Sequence, residues 1–325
     1  RWIWSHQRRH PWYLTGFLVG SITMVVLNSA MPGQIGAAFD IVLTGGPGAE
    51  EALTAVAVTM LVLVLVRTVL DFVARYSSEV LAKRMEREAR DELYVSLLGK
   101  SQTFHNRQRV GDLMARGAGD VRQLGTMFSP GIDLLVDSLS QGLVPLVFIA
   151  LLEPRLLVAP LVFAVTFVAS IRWFVRRMSP VSARLRAEYG TVGAGLNETI
   201  RGIEVVKATG QEVAERTRFV TNARRYRDAF VEQGLIQARY LPTLLLAVCL
   251  AGGLLHGLTL LDDGLITIGD LITFLGLMGL LGFPAFISIF SFSLVQNGVA
   301  SADRLLELMR TETELDHNPD GHRAR

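Results

Sequence analysis

Six long apolar stretches dominate the pattern of hydrophobic and polar positions along this chain. Each is long enough to cross the ~30 Å hydrocarbon core of a bilayer as a helix, which takes about 20 apolar residues. Few charged side chains interrupt them, as is typical of membrane spans. The pattern therefore predicts an all-α membrane protein with six transmembrane helices, at about residues 13–39, 52–71, 132–152, 156–175, 240–261 and 268–292.

The helical pattern of the second span continues far beyond its apolar part. Between residues 71 and 104 there is no proline, and apolar side chains recur at helical spacing. One helix of about 50 residues would be ~75 Å long and would exceed the hydrocarbon core by ~45 Å. We expect the excess to stand outside the membrane as a stalk. The recurring apolar positions are Val80, Leu81, Met85, Ala89, Leu93 and Leu97.

A second polar and helix-prone segment, residues 188–219, lies between spans four and five and must also reach outside the membrane. In the first polar segment, residues 111–128 return the chain to the membrane. There Asp112, Arg116 and Asp120 have the i, i+4 spacing of a charge ladder on one helix face. The sequence thus predicts two long helical arms that leave the membrane on the same side.

The distribution of charge predicts which side that is. Charged residues make up 19% of the chain and mean hydropathy is +0.37, whereas charged residues are about 25% of an ordinary soluble domain. The loops at residues 40–51, 153–155 and 262–264 contain one basic residue, Arg155. Nearly all other Lys and Arg residues lie in the termini and arms, so the positive-inside rule places both termini and both arms in the cytoplasm. We expect a multi-pass protein of the plasma or inner membrane.

The ends of the chain are predicted to be accessory segments. Residues 1–12 suit an interfacial elbow helix, because Trp2, Trp4 and Trp12 are typical headgroup-level aromatics. Residues 13–310 would form the six-helix domain, and residues 311–325 a polar linker to a further domain of a longer protein.

The single cysteine, Cys249, lies in an apolar run, so we expect a buried, inert thiol. A net charge of +2 gives no reason to expect nucleic acid as a partner.

Three groups of residues resemble motifs of one transporter family. With six spans, short outer loops and two long inner arms, they resemble the transmembrane domain of ATP-binding-cassette (ABC) exporters of the multidrug and lipid-flippase type, the type IV ABC fold. Each motif is weak alone, but three in order at a matching topology are specific, and they cover nearly the whole chain. They are Phe104, Val110-Gly111-Asp112-Leu113, Arg116 and Asp120-Val121; Asn197-Glu198, Gly202-Ile203, Val205-Val206-Lys207, Glu212 and Phe219; and Ala300, Ser301, Arg304-Leu305 and Leu308.

The resemblance implies that each arm ends in a coupling helix, which docks on a nucleotide-binding domain. These helices would fall at residues 110–116 and 208–215. We expect Gly111 and Gly210 to provide the sharp turns at the tips. The alternative is that charges such as Glu198, Arg201, Glu204 and Lys207 only solvate a helix face. The implied coupling residues are Val110, Gly111, Asp112, Leu113, Arg116, Ala208, Gly210, Gln211 and Glu212.

The chain itself is not expected to hydrolyse ATP. Gly99-Lys100-Ser101 ends like a phosphate-binding loop, but Tyr94 stands where the motif needs its first glycine and no strand is predicted before it. No LSGGQ-like signature occurs, so we assign no catalytic residue, cofactor or metal ligand to this chain. The resemblance implies that ATP and Mg bind to a nucleotide-binding domain in the same or a separate polypeptide. It also implies a second six-helix half, in a homodimer or heterodimer.

Polar groups inside membrane spans are the usual indicators of a substrate path. Arg67 has a structural alternative, since it can snorkel and pair with Asp71 at i+4. Asn28 and Gln141 can instead join helices. Methionine and aromatic residues of span six suit a promiscuous cavity but equally a packed core, and the glycines and Pro284 of that span predict close packing and a bend. The candidate path residues are Asn28, Arg67, Gln141, Phe274, Met278 and Phe286.

The function expected from these features is ATP-driven export of an amphiphilic or lipid-like substrate by alternating access. A siderophore-type importer on the same fold would have the same sequence pattern. A secondary transporter or channel would need more intramembrane charge and leaves the arms unexplained. A membrane-anchored scaffold leaves the short outer loops and glycine-rich span six unexplained.

Overall fold

A computed structural model describes residues 2–311, except for the side chains of Thr243, Phe286, Ser288 and Ile289. The described residues form helices joined by short turns, and no strand occurs among them. The helices are α1 (Trp2–Arg8), α2 (Pro11–Thr44), α3 (Ala49–Leu98), α4 (Gln102–Arg107), α5 (Val110–Ala115), α6 (Val121–Thr126), α7 (Asp133–Leu152), α8 (Val158–Arg201), α9 (Ile203–Thr209), α10 (Glu212–Arg239), α11 (Pro242–Asp262), α12 (Ile268–Leu280) and α13 (Gly282–Arg310).

Six helical segments in this part of the chain are long and apolar enough to cross a membrane. They confirm the predicted all-α fold with six spans. Arg1–Pro160 and Leu250–Arg325 together form one compact unit, and Leu161–Cys249 forms a second. The six segments are Pro11–Thr44, Ala49–Leu98, Val110–Leu152, Pro154–Arg201, Glu212–Asp262 and Ile268–Arg310.

In the first unit, α3 is a single helix of 50 residues, about 75 Å long at ~1.5 Å per residue. Its apolar first half has no buried residue before Ala74, as expected of a surface in contact with lipid or other helices. From Ala74 onward a buried face appears, with Leu81, Met85, Ala89 and Leu93 among its residues. The predicted continuous stalk, with its apolar face at helical spacing, is therefore confirmed.

Helices α2 and α12 approach each other closely where glycines meet. A Cβ atom at Gly36 would collide with the backbone oxygen of Gly269, and one at Gly269 would collide with that of Gly36. Farther along, Gly276 faces the ring of Pro32. Asp40 at the end of α2 accepts hydrogen bonds from Gly269 N and Thr267 Oγ1, both at 2.7 Å. Small residues thus permit the close packing predicted for span six.

Span six also bends as predicted. Helix α12 ends at Leu280, and α13 begins at Gly282. Pro284 occupies the first turn of α13, where a missing N–H removes no intrahelical hydrogen bond. Beyond the apolar part of span six, α13 continues without interruption to Arg310. Residues 312–325, most of the predicted linker, lie outside the described part.

The second unit contains the long arm that follows span four. Helix α8 runs from Val158 to Arg201 and continues through Pro180. Helix α10 returns over 28 residues to Arg239, and the chain bends at Tyr240 before α11 begins at Pro242. Cys249 is half-buried, so the expectation of a fully buried thiol was wrong.

Candidate functional site

The first arm is built around a buried cluster of side chains, called the stalk cluster here. It joins α3, the returning helices α4 and α6, and the last three turns of α13. Leu113 of α5 packs against it, so the predicted coupling helix is attached directly to this core. The stalk cluster comprises Met85, Ala89, Leu93, Phe104, Val121, Leu124, Met127, Ala302, Leu305 and Leu308.

A short helix occupies the position predicted for the first coupling element. Helix α5 covers Val110–Ala115, and the chain enters it through extended backbone at Gln108 and Arg109. Gly111 lies inside α5 without a positive φ. The prediction that Gly111 makes the sharp turn was therefore wrong, because the extended Gln108 and Arg109 change the chain direction.

The predicted charge ladder of the first arm is altered. The chain makes a π-helical turn over Arg116–Asp120, and within residues 2–311 no ion pair at 4.0 Å or less joins Asp112, Arg116 and Asp120, although the charge of Arg116 still acts on Asp120. Asp120 instead accepts hydrogen bonds from Nε and Nη2 of Arg304 on α13, with Nε at 3.1 Å. This ion pair joins the first sequence motif to the third, and spacing along the chain could not reveal it.

Asp120 lies in the arm, outside the apolar spans. Partial burial by itself would raise the pKa of this carboxyl, but hydrogen bonds from Arg304 and Ser301 outweigh burial and hold the pKa below its ordinary value. The carboxylate is therefore ionised at neutral pH, and the connection between the arm and α13 is a charged one.

Lys100 provides a second connection to the end of α13. Its Nζ donates hydrogen bonds to the backbone oxygens of Met309, at 2.9 Å, and Thr311. Gly99 ends α3 and Ser101 caps α4, so the surrounding residues are helical. The Gly-Lys-Ser sequence is thus a helix junction that anchors α13, which agrees with its rejection as a phosphate-binding loop.

The tip of the second arm is a short helix between two glycines. Helix α9 covers Ile203–Thr209. Gly210 follows it with φ 62° and ψ 31°, a left-handed conformation that costs a side chain about 1–2 kcal/mol. The expected turn at Gly210 is confirmed. The position expected for the second coupling helix, residues 208–215, was wrong by about five residues, because Gly210 separates α9 from α10 there.

Ion pairs hold this second tip together. Lys207 Nζ lies 3.0 Å from Glu212 Oε1 across the Gly210 turn. Glu198 and Arg218 pair at 3.0 Å between α8 and α10. Glu198, Arg201, Glu204 and Lys207 are all exposed, as the interpretation of solvated helix faces requires, although the helix break at Gly202 divides that face in two.

Glu212 stands at the start of α10, in the second arm and outside the apolar spans. The carboxylate accepts a hydrogen bond from its own backbone N–H, and a second from Lys207. Both favour the ionised form and lower the pKa of Glu212. Glu212 is exposed, as is the neighbouring Gln211, and its ion pair with Lys207 is neutral overall.

Both tips expose apolar side chains. An arm that contacts only water would have no need of apolar residues at these positions. Val110 and Met114 on α5 are 74% and 67% exposed. At the second tip, Val205 of α9 and Val213 of α10 are 65% and 78% exposed. Exposed apolar residues next to short, capped helices are typical of surfaces that bind another protein.

The candidate path residues fall into two groups. Asn28, Arg67 and Gln141 are half-buried, and their assignment to a path stays a prediction. Phe274 and Met278 are fully buried, with Phe274 against Gly253, so they act as packing residues in this conformation. The side chain of Phe286 lies outside the described part.

The expected Arg67–Asp71 pair is absent from the described residues, because Asp71 pairs with Arg75 at 3.0 Å. Arg75 also lies 3.5 Å from Asp133 and 3.8 Å from Asp137 on α7, and both of these carboxyls are buried. This cluster was not predicted from the sequence. The i, i+4 spacing of two acids inside span three is the available signal, but only the packing of α3 against α7 supplies their partner.

Helix α1 is anchored on the stalk through contacts that the sequence did not indicate. Trp2 Nε1 donates to Glu92 at 2.9 Å, and the Nε2 atom of His6 lies 3.1 Å from the same carboxylate. His10 contacts Glu88 at 2.6 Å. Trp4 and Trp12 remain 53% and 87% exposed. Among the predicted headgroup-level aromatics, Trp2 is therefore a stalk residue, whereas Trp4 and Trp12 are free to contact lipid.

Comparisons with known proteins agree with this architecture. The family profile of the ABC transporter transmembrane region matches residues 14–285. A multidrug resistance-like ATP-binding protein of Buchnera aphidicola is 24% identical over 309 residues, 92% of this chain and 52% of that protein. An ATP-dependent lipid A-core flippase of Nitrosococcus oceani is 26% identical over 324 residues, 97% of this chain and 53% of that protein.

A probable multidrug resistance ABC transporter ATP-binding/permease protein of Bacillus subtilis is 27% identical over 237 residues, 72% of this chain and 40% of that protein. The chain spans about half the length of the curated relatives it matches. The family profile covers most of the chain, and the six spans, two arms and capped tips fit it. This protein therefore belongs to the ABC transporter transmembrane region family.

Proposed function

We propose that this chain is the membrane-spanning half of an ATP-driven exporter, with both termini and both arms in the cytoplasm. ATP and Mg bind to a nucleotide-binding domain, and a second six-helix half completes the transporter. The names of relatives that handle drugs and lipid A, and the scarcity of charge in the spans, support an amphiphilic or lipid-like substrate.

One observation carries this proposal. The apolar tip of α5 is exposed, and it stands on the same stalk cluster that holds the end of α13. A domain that pushes on α5 would therefore move α13, and with it span six, through a packed core that resists compression. The arm and the span would then share one conformational equilibrium, so that a force on the arm shifts the position of the span, and the reverse.

The coupling surface can be tested with Val110→Asp and Met114→Asp in the full-length transporter. Both side chains are exposed, so the fold should persist, while each carboxylate would be desolvated against the docked domain. We expect transport, and the stimulation of ATP hydrolysis by substrate, to fall about tenfold, equivalent to ~1.4 kcal/mol of coupling. Uptake into inverted vesicles and phosphate release measure these two quantities.

Tyr76→Asp is the matched control, because Tyr76 is 57% exposed on α3 and lies about 33 Å along that helix from its end at Leu98. Full transport by the α5 variants, or an equal loss in the control, would contradict the docking role of α5. The direction of substrate movement in the same vesicles separates an exporter from an importer. Transport that needs an ion gradient but no ATP would identify a secondary transporter.

A further inference from the structure

A groove of about 490 Å³ lies between α8 and α10, within the second unit. Its walls combine an indole ring, aliphatic side chains and guanidinium groups. The residues that define it are Trp173, Arg177, Val181, Leu235, Ile236 and Arg239. None of the sequence motifs falls in this groove, and the proposed transport mechanism does not use it.

The groove has an excess of positive charge. At its far end Arg184 pairs with Glu232 at 3.3 Å, and this pair is neutral overall. Within residues 2–311, Arg177 and Arg239 have no carboxylate within 4.0 Å. Two unpaired guanidinium groups therefore line one end of the groove, and arginine pairs of this kind match the oxygens of a phosphate.

Two independent helices place that end at the level of a membrane surface. From Val158 to Arg177, α8 rises about 28 Å at ~1.5 Å per residue, which is close to the ~30 Å of the hydrocarbon core. Helix α11 has 21 residues and so spans about 31 Å, and Arg239 stands three residues before it. Trp173 lies one turn deeper, where tryptophan is enriched at membrane interfaces.

We propose that this groove binds the anionic headgroup of a phospholipid from the leaflet on the side of the arms. The phosphate lies between Arg177 and Arg239, and the ring of Trp173 packs against the glycerol region. Val181, Leu235 and Ile236 form an apolar floor, which lowers the local dielectric and strengthens the contact between guanidinium and phosphate. The site does not rest on the direction of export or on its substrate.

The test uses the full-length transporter in detergent, titrated with dioleoyl phosphatidylglycerol or dioleoyl phosphatidylcholine, with bound lipids counted by native mass spectrometry. We expect tighter binding of phosphatidylglycerol. Arg177→Gln/Arg239→Gln should weaken it about thirtyfold, since each arginine near an anionic surface contributes roughly fivefold. Glutamine keeps the helix propensity of arginine, and the thermal midpoint of the double variant should be unchanged.

Arg172→Gln/Arg176→Gln is the matched control, because these two exposed arginines lie at the same level of α8 but do not line the groove. It should retain the affinity of the unmodified protein. Equal affinity for both lipids, or an equal loss in control and groove variants, would overturn the proposal in favour of diffuse charge attraction. Competition by millimolar inorganic phosphate would overturn it in favour of a free-anion site. Cross-linking of a Leu235→Cys variant to the second six-helix half would show instead that the groove is covered by the interface between the two halves.

Discussion

At the scale of single residues, the two tip glycines have different roles. Gly210 has a positive φ and ends α9, where any other residue is strained. Gly111 is an ordinary helical residue with open space around the position of a Cβ atom. Both stand at arm tips in the sequence, but only one of them is required by the backbone.

Gly210→Ala and Gly111→Ala form a matched pair that tests this difference. We expect Gly210→Ala to destabilise the α9–α10 turn by about 1 kcal/mol, so that amides of α9 exchange hydrogen about fivefold faster. Gly111→Ala should slow exchange in α5, because alanine is favoured over glycine in a helix by about 1 kcal/mol. Hydrogen–deuterium exchange with mass spectrometry measures both. The same direction of change at both sites would refute the assigned conformations.

At the scale of elements, α2 and α12 form a close contact within the first unit. Backbone meets backbone at Gly36 and Gly269, and Asp40 then caps the beginning of α12. Helices that approach this closely gain dispersion contacts and exclude lipid between them. The contact fixes span six, the span that continues through α13 into the stalk cluster.

Gly36→Ala tests this contact. The added methyl group would collide with the Gly269 backbone and Thr273 Oγ1, so we expect a loss of about 1–3 kcal/mol of stability. Gly33→Ala, three residues earlier on the same helix, has no atom within 4 Å of the new Cβ and should stabilise the protein by up to about 1 kcal/mol, because alanine is favoured over glycine in a helix. Thermal unfolding of both purified variants gives the comparison. If the two variants unfold at the same temperature, α2 and α12 are not packed at Gly36.

At the scale of the whole molecule, the membrane determines how the chain is arranged. Six spans carry little charge, and the arms carry most of the basic residues. The bilayer surface potential and the insertion machinery favour retaining that basic part on the cytoplasmic side. In the proposed orientation both arms reach the cytoplasm, the compartment in which the proposed nucleotide-binding domains would lie.

This orientation predicts the accessibility of introduced cysteines. In a Cys249→Ser background, Asp263→Cys should react with a membrane-impermeant maleimide added to intact cells, whereas Gln211→Cys should react only after the membrane is opened. Both positions are exposed, so reactivity reports the compartment rather than burial. Labelling of Gln211→Cys in intact cells would reverse the assigned topology.

Several particular residues show how far sequence reasoning reaches. The spans, the continuous α3 stalk and the Gly210 turn were all predictable, because hydrophobic periodicity and glycine conformations are local properties. The partners of Asp120, Asp133 and Lys100 were not predictable. Their contacts join positions up to about 200 residues apart, and helix spacing reports only neighbours within a turn.

The sequence by itself determined that this chain crosses a membrane six times and extends two helical arms, because the transfer of apolar side chains into lipid depends on composition and segment length alone. Only the tertiary structure decided which arm residues are exposed and which contact α13. It also brought Arg177 and Arg239 to one groove and Arg75 to two buried carboxyls. Such placements depend on how separate helices pack, and packing is settled by shape and charge across helices rather than along one of them.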